Sequence, residues 1–131
     1  FPGAIETLTE LKRQDYRMHI ITNGFHEVQQ VKLATSGLSS FFDVVLSSES
    51  IGFTKPHREI FQEAQRLTNC QPQHAIMIGD DFKADIIGAL NANWTAIHFD
   101  PEIKFKKERN VPRVRSLNEL PEVINLLPIV G

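Results

Sequence analysis

Apolar positions along the chain fall into two rhythms. Ile5, Leu8 and Leu11 recur at helical spacing with Glu6, Glu10 and Lys12 elsewhere, which predicts an amphipathic helix just behind Pro2-Gly3. His19–Thr22 reads as a short strand, ended by Asn23-Gly24. Val28, Val31 and Ala34 predict a second helix, with Gly37 as its C-terminal stop. Val44, Val45 and Leu46 form an unbroken β-branched run, the pattern of a strand buried on both faces. Ile60, Phe61, Ala64 and Leu67 predict a third helix, and Pro56 is expected to pre-set its first turn. Ala75–Ile78 reads as another buried strand, closed by Gly79-Asp80-Asp81. Ile86, Ile87, Ala89 and Leu90 predict a fourth helix, and Thr95–Phe99 a further strand. Ser116 and Glu119 have capping-box spacing ahead of a last helix carrying Val123, Ile124 and Leu127.

Strands that alternate with helices imply βαβ units, a mainly parallel sheet and helices on both faces. Ligands of such α/β sheets bind beyond the carboxyl ends of the strands. Chemistry is therefore expected in Thr22-Asn23-Gly24, Ser47-Ser48-Glu49, Asp80-Asp81 and His98–Asp100. The 131 residues suit one domain spanning 1–131. A net charge of −2 and a pI near 6.2 give no global attraction to a nucleic-acid polymer or an anionic membrane. No apolar run approaches the ~20 residues of a membrane span. The single Cys70 cannot form an internal disulfide, so a reducing, cytoplasmic setting is expected. A start at Phe1 rather than Met is what a segment of a longer reading frame is expected to show.

Asp80 and Asp81 are adjacent carboxylates behind an apolar strand, with Asp85 one helical turn on. Hard oxygen ligands in this arrangement suit Mg²⁺, which takes one or two carboxylates along with waters and phosphate oxygens. The plainer reading is that one Asp caps the next helix and the others favour its dipole. Thr22 at a strand end can donate to a phosphate oxygen, and the Asn23-Gly24 turn can add backbone N–H groups. The plainer reading there is an ordinary strand-to-helix turn. Lys55 precedes a helix start, where the dipole does not favour a cation. It asks for a compensating anion, unless it is simply solvated. His19, His26, His57, His74 and His98 show no metal-ligand pairing, and Cys70 has no CxxC partner. Lys104, Lys106, Lys107, Arg109, Arg113 and Arg115 form a basic stretch, read as a solvated loop or an anion-steering rim.

The order of these signals resembles the haloacid dehalogenase-like hydrolase superfamily. The strings ITNGF, TKPHREIF and IMIGDDFKADIIGA are similar to its second, third and fourth motifs, and FPGAIETLTELK to the segment that re-enters the core after a helical cap. The overall texture resembles the phosphatase branch that includes pyrimidine 5′-nucleotidases. The resemblance implies a Rossmann-like three-layer αβα sandwich with a mainly parallel sheet. It also implies a Mg²⁺-dependent phosphomonoesterase that works through an aspartyl-phosphate intermediate on a small phosphorylated metabolite, a nucleoside monophosphate being one candidate. Thr22, Lys55 and Asp85 then carry catalysis. Thr22, Asn23, Gly24 and Lys55 contact the substrate, and Asp80 and Asp81 hold the metal, with Asp81 or Asp85 orienting metal-bound water or pairing with the lysine.

One departure is large. The family's nucleophile lies in a D-x-D motif on the first, central strand, and these residues contain no D-x-D. The first central strand is thus expected to be missing, leaving the strand ending at Thr22 and the strand ending at Asp80 with unpaired edges. Those edges make self-association an expectation, and the chain alone is expected to be inactive. Two other readings are a non-catalytic binding module of degenerate hydrolase fold and a receiver-like phospho-acceptor domain. The receiver reading would require a permuted order of acidic pair, Thr and Lys.

Overall fold

The computed structural model describes residues 3–24, 37–103 and 111–127. The helix expected around Val28, Val31 and Ala34, His26, and the basic residues 104–109 lie outside the described residues. Helix α1 (Ala4–Arg13) leads to strand β1 (His19–Thr22). Strand β2 (Val44–Ser47) runs into a single helical turn, α2 (Ser48–Ile51), and then helix α3 (Arg58–Thr68). Strand β3 (Ile76–Gly79) is followed by a π-wound segment (Phe82–Ile87) that continues as α4 (Gly88–Asn91). Strand β4 (Thr95–Phe99), the two-residue β5 (Arg113–Val114) and helix α5 (Leu120–Leu126) complete the order.

All strand pairings among the described residues are parallel, but they form two separate sheets. β1 pairs with β2, placing Thr22 opposite Ser47. β3 pairs with β4, placing Gly79 opposite His98, and β4 pairs with β5. Period-2 alternation divides the strand residues between two cores. Met77 and Ala96 face α3 and α4, joining Ile60, Phe61, Ile86 and Ala89. Ile97 and Phe99 face α1 and α5, joining Leu11, Leu120 and Ile124. This is the expected three-layer α/β arrangement. Between β1 and β3 lies a cavity of ≈ 530 Å³, walled by Ile20 and Ile21 on one side, Ile76 and Ile78 on the other, with Leu11 and Trp94 among its lining. The two unpaired strand edges expected at Thr22 and Asp80 are thus held apart across an apolar gap.

The helices follow their patterns with corrections. In α1 the buried residues are Thr7 and Leu11, whereas Ile5 is exposed. In α3, Ile60, Phe61 and Ala64 are buried but Leu67 is half-exposed. α3 starts at Arg58 with His57 in the capping position. Pro56 therefore lies ahead of the helix and does not form its first turn. Ile86 and Ala89 are buried while Ile87 and Leu90 face outward, because the wider π winding shifts the buried stripe. Phe61 meets Trp94 edge-on, with centroids 5.1 Å apart, and Trp94 Nε1–H donates to Gln65 Oε1 at 2.7 Å. The Ser116–Glu119 capping box is formed, its carboxylate accepting from Ser116 N–H at 2.8 Å and Arg115 N–H at 2.7 Å.

Candidate active site

Thr22, Lys55, Asp80 and Asp85 come together at the carboxyl rim of the strands, spanning the gap between the two sheets. Lys55 Nζ donates to the Ile21 carbonyl at 3.0 Å and to Asp85 Oδ1 at 2.5 Å. The other Asp85 oxygen accepts from Asp81 N–H at 3.2 Å. One continuous chain of hydrogen bonds thus runs from β1 through Lys55 and Asp85 to the turn after β3. Both side chains are largely enclosed, Lys55 at 10% and Asp85 at 6% exposure. A carboxylate buried this deeply is tolerated only when it is paired and hydrogen-bonded. Of the three ammonium protons, two are used within the described residues, leaving one for a ligand.

Local sequence explains this placement. The π-wound segment begins under Asp81, whose Oδ1 accepts from Ala84 N–H at 2.9 Å as an N-cap. It turns Asp85 back over Gly79, and a Cβ on Gly79 would lie 2.1 Å from Asp85 Oδ2 and 2.5 Å from Asp85 Cβ. Only glycine admits the carboxylate there. Gly88 makes a similar close approach, since a Cβ would lie 2.8 Å from the Phe61 ring and 3.0 Å from Pro56 Cα. That contact seats the Lys55-Pro56 loop against the helix behind it.

Thr22 ends β1. Its Oγ1 accepts from Gly24 N–H at 3.0 Å, leaving the hydroxyl proton for donation outward. Asn23 and Gly24 do not act alike. The Gly24 N–H is committed to Thr22, and the Asn23 side chain is committed to Lys55: Oδ1 accepts from Lys55 N–H at 2.8 Å and Nδ2 donates to the Lys55 carbonyl at 3.2 Å. Ser48 Oγ also donates to the Asn23 carbonyl at 3.2 Å.

The Asp80 carboxylate is exposed and has no hydrogen-bond partner among the described residues. Its backbone carbonyl accepts from His98 Nε2–H at 3.3 Å, and the buried His98 ring packs against Phe82 with centroids 5.3 Å apart. The sequence, which places His98 only among the strand-end polar residues, does not by itself assign this support role. Its signal is positional: it is the residue opposite Gly79 in the β3–β4 register. Among the described residues no three His, Cys, Asp or Glu side chains gather closely enough to hold a metal by themselves. Asp80 and the uncapped oxygen of Asp81 offer an open, partial set of hard oxygen ligands. That set fits a cation such as Mg²⁺, which takes few protein carboxylates and completes its shell from elsewhere. Cys70 is half-buried, and burial pushes its thiol above the ordinary range, in keeping with an inert role.

The family model for haloacid dehalogenase-like hydrolases matches residues 1–99. The chain belongs to the haloacid dehalogenase-like hydrolases. Relatives in this family include a glyceraldehyde 3-phosphate phosphatase of Methanothermobacter thermautotrophicus, 35% identical over 131 residues, covering 95% of this chain and 58% of the relative. The pyrimidine 5′-nucleotidase YjjG of Escherichia coli is 34% identical over 126 residues, covering 94% of this chain and 56% of the relative. A magnesium-bound structure of YfnB from Bacillus subtilis superposes with a TM-score of 0.87 at 32% identity, covering 96% of this chain and 56% of that one. The chain thus spans little more than half the length of these relatives. Membership in this family sets the receiver-like reading aside.

Proposed function

We propose that this chain forms the larger part of the catalytic core of a Mg²⁺-dependent phosphomonoester hydrolase acting on a small phosphorylated metabolite. The observation that carries the reading is the Lys55 bridge. A buried ammonium, tied to the carbonyl before Thr22 and to Asp85 beside Asp81, faces the rim where a phosphoryl group is bound in such sheets. The phosphatase and nucleotidase names of the relatives support the same class. A nucleoside monophosphate is one candidate substrate, alongside a triose phosphate.

In this reading Thr22 donates its hydroxyl proton to a phosphoryl oxygen, and Lys55 offsets negative charge with its remaining N–H. Asp85 fixes the ammonium, so its role lies in holding Lys55 and not in touching substrate. Asp80 and Asp81 would hold Mg²⁺, which when bound supplies positive charge against the phosphoryl oxygens. Positioning and charge neutralisation of this kind are the main demands of phosphoryl transfer.

The nucleophile comes from outside these 131 residues. A parallel strand seated in the ≈ 530 Å³ cavity would pair with β1 on one side and β3 on the other. A carboxylate at its carboxyl end would then emerge beside Lys55. That carboxylate attacks phosphorus, the P–O ester bond breaks, and the departing alkoxide takes a proton from solvent water as it leaves. Water then cleaves the aspartyl phosphate, releasing phosphate and restoring the carboxylate. Without such a strand the edges of β1 and β3 are expected to draw copies of the chain together. A cytoplasmic location accords with the single cysteine, and no helix among the described residues is long and apolar enough to cross a membrane.

The test is p-nitrophenyl phosphate hydrolysis with Mg²⁺. The chain alone should be inactive and self-associated by light scattering. Fusion to an apolar strand ending in D-x-D should restore both turnover and a monomer, and Asp80→Ala should abolish the turnover. Robust turnover by the chain alone, or none after strand addition, overturns the proposal.

A further inference from the structure

The Asn23 side chain treats Lys55 as a neighbouring strand would. Its carboxamide accepts from Lys55 N–H at 2.8 Å and donates to Lys55 C=O at 3.2 Å, across 32 residues of sequence. Both backbone groups of a single residue are thereby held by a single side chain. Asn23 is itself anchored, because it directly follows the last residue of β1 and its carbonyl accepts from Ser48 Oγ at the start of α2. The turn after β1, the turn after β2 and the loop before α3 therefore meet at one asparagine.

We propose that Asn23 is a positioning residue: it clamps the Lys55 backbone so that the ammonium reaches both the Ile21 carbonyl and Asp85. Its importance for catalysis rests on the phosphohydrolase reading above, but the clamp itself does not. Lys55 sits in a loop, not in a helix or strand, so no regular backbone ladder fixes its Cα. A flexible four-carbon stem delivers its charge to a defined point only when its root is fixed. The asparagine supplies that fixation with a carboxamide, a donor and an acceptor side by side on one carbon, which only the longer glutamine shares. This assigns Asn23 a role different from substrate contact through its side chain.

Two hydrogen bonds of ordinary net strength are together worth about tenfold in the population of the clamped state. The experiment is competitive acylation with limiting acetic anhydride, read by mass spectrometry, with exposed Lys83 as the internal reference. In the unsubstituted chain Lys55 should be protected. In Asn23→Ala, acylation of Lys55 relative to Lys83 should rise about tenfold. Asn23→Asp keeps the acceptor for Lys55 N–H and loses the donor, so an intermediate rise is expected; it also serves if Asn23→Ala fails to fold. In the strand-complemented enzyme, Asn23→Ala should lower kcat about tenfold with KM little changed. That loss should vanish in a Lys55→Met background, because Asn23 acts only through Lys55.

Unchanged Lys55 acylation in Asn23→Ala overturns the clamp. An unchanged kcat, or a loss that persists in full alongside Lys55→Met, overturns its action through Lys55. If acylation rises while no complemented form hydrolyses p-nitrophenyl phosphate, the clamp stands and the phosphohydrolase reading falls.

Discussion

Gly79→Ala tests the geometry of the rim without touching a charged residue. The new methyl would lie 2.1 Å from Asp85 Oδ2, 2.4 Å from Cγ and 2.5 Å from Cβ. Rotating the Asp85 side chain moves the first two atoms but not the Cβ, which is fixed by the backbone of the π-wound segment. The segment must therefore shift, and the carboxylate leaves Lys55 Nζ and Asp81 N–H together. Separating one partner of a buried ion pair costs about 3–5 kcal/mol. Because the displaced carboxylate regains some water, the lower end applies, about 3 kcal/mol. For a domain of this size that is a drop in Tm of roughly 10 °C. Urea unfolding followed by circular dichroism at pH 7 measures it, with an unchanged m-value showing that the native state stays compact. Asp85→Gly removes all three colliding atoms. In that background Gly79→Ala should cost under about 1 kcal/mol, so the double variant is strongly non-additive. A cost below about 1 kcal/mol for Gly79→Ala alone, or simple additivity, would refute the reasoning.

Two further substitutions separate capping from metal binding. Asp81→Ala removes the acceptor for Ala84 N–H and should cost about 1 kcal/mol in unfolding experiments without metal. Asp80→Ala should change metal-free stability by less than about 0.5 kcal/mol, yet should erase any thermal stabilisation by Mg²⁺ in the strand-complemented protein. Burial holds the His19 imidazole below its ordinary value of 6.5, with Arg17 adding to the shift and Asp43 opposing it. Its Nδ1 also accepts from Val44 N–H at 3.2 Å, a bond that requires the unprotonated nitrogen. The folded state therefore favours the neutral ring. The stability it contributes is complete above about pH 6.5 and is lost as pH falls through the lowered folded value. His19→Gln should flatten that acid limb in a Tm-versus-pH series.

The strands were legible because burial on both faces writes itself as unbroken apolar runs such as Val44-Val45-Leu46 and Ala75–Ile78. The gap between β1 and β3 was legible only through the family resemblance, since the missing D-x-D points to a missing strand. The short β5 left no trace, as two residues cannot establish a period. The π winding was hidden because Ile86, Ile87, Ala89 and Leu90 satisfy an ordinary helical pattern. At the site, residue types at strand ends pointed to Thr22 and the aspartates, and a cation ahead of a helix start pointed to Lys55. The division of labour among those aspartates did not follow from spacing. Which one pairs with Lys55 depends on the backward turn over Gly79, a contact between side chain and backbone that carries no periodic signal. The Asn23 clamp was obscured similarly, because Asn-Gly is already accounted for as turn chemistry.

The edge-on meeting of Phe61 and Trp94 has a practical consequence. Trp94 is the sole tryptophan, it is nearly buried, and it lines the cavity between the two sheets. The molecule thus carries an intrinsic fluorophore in the wall of the opening where a strand is expected to lodge. Its emission offers an optical record of that insertion, free of any added dye and readable on the timescale of mixing.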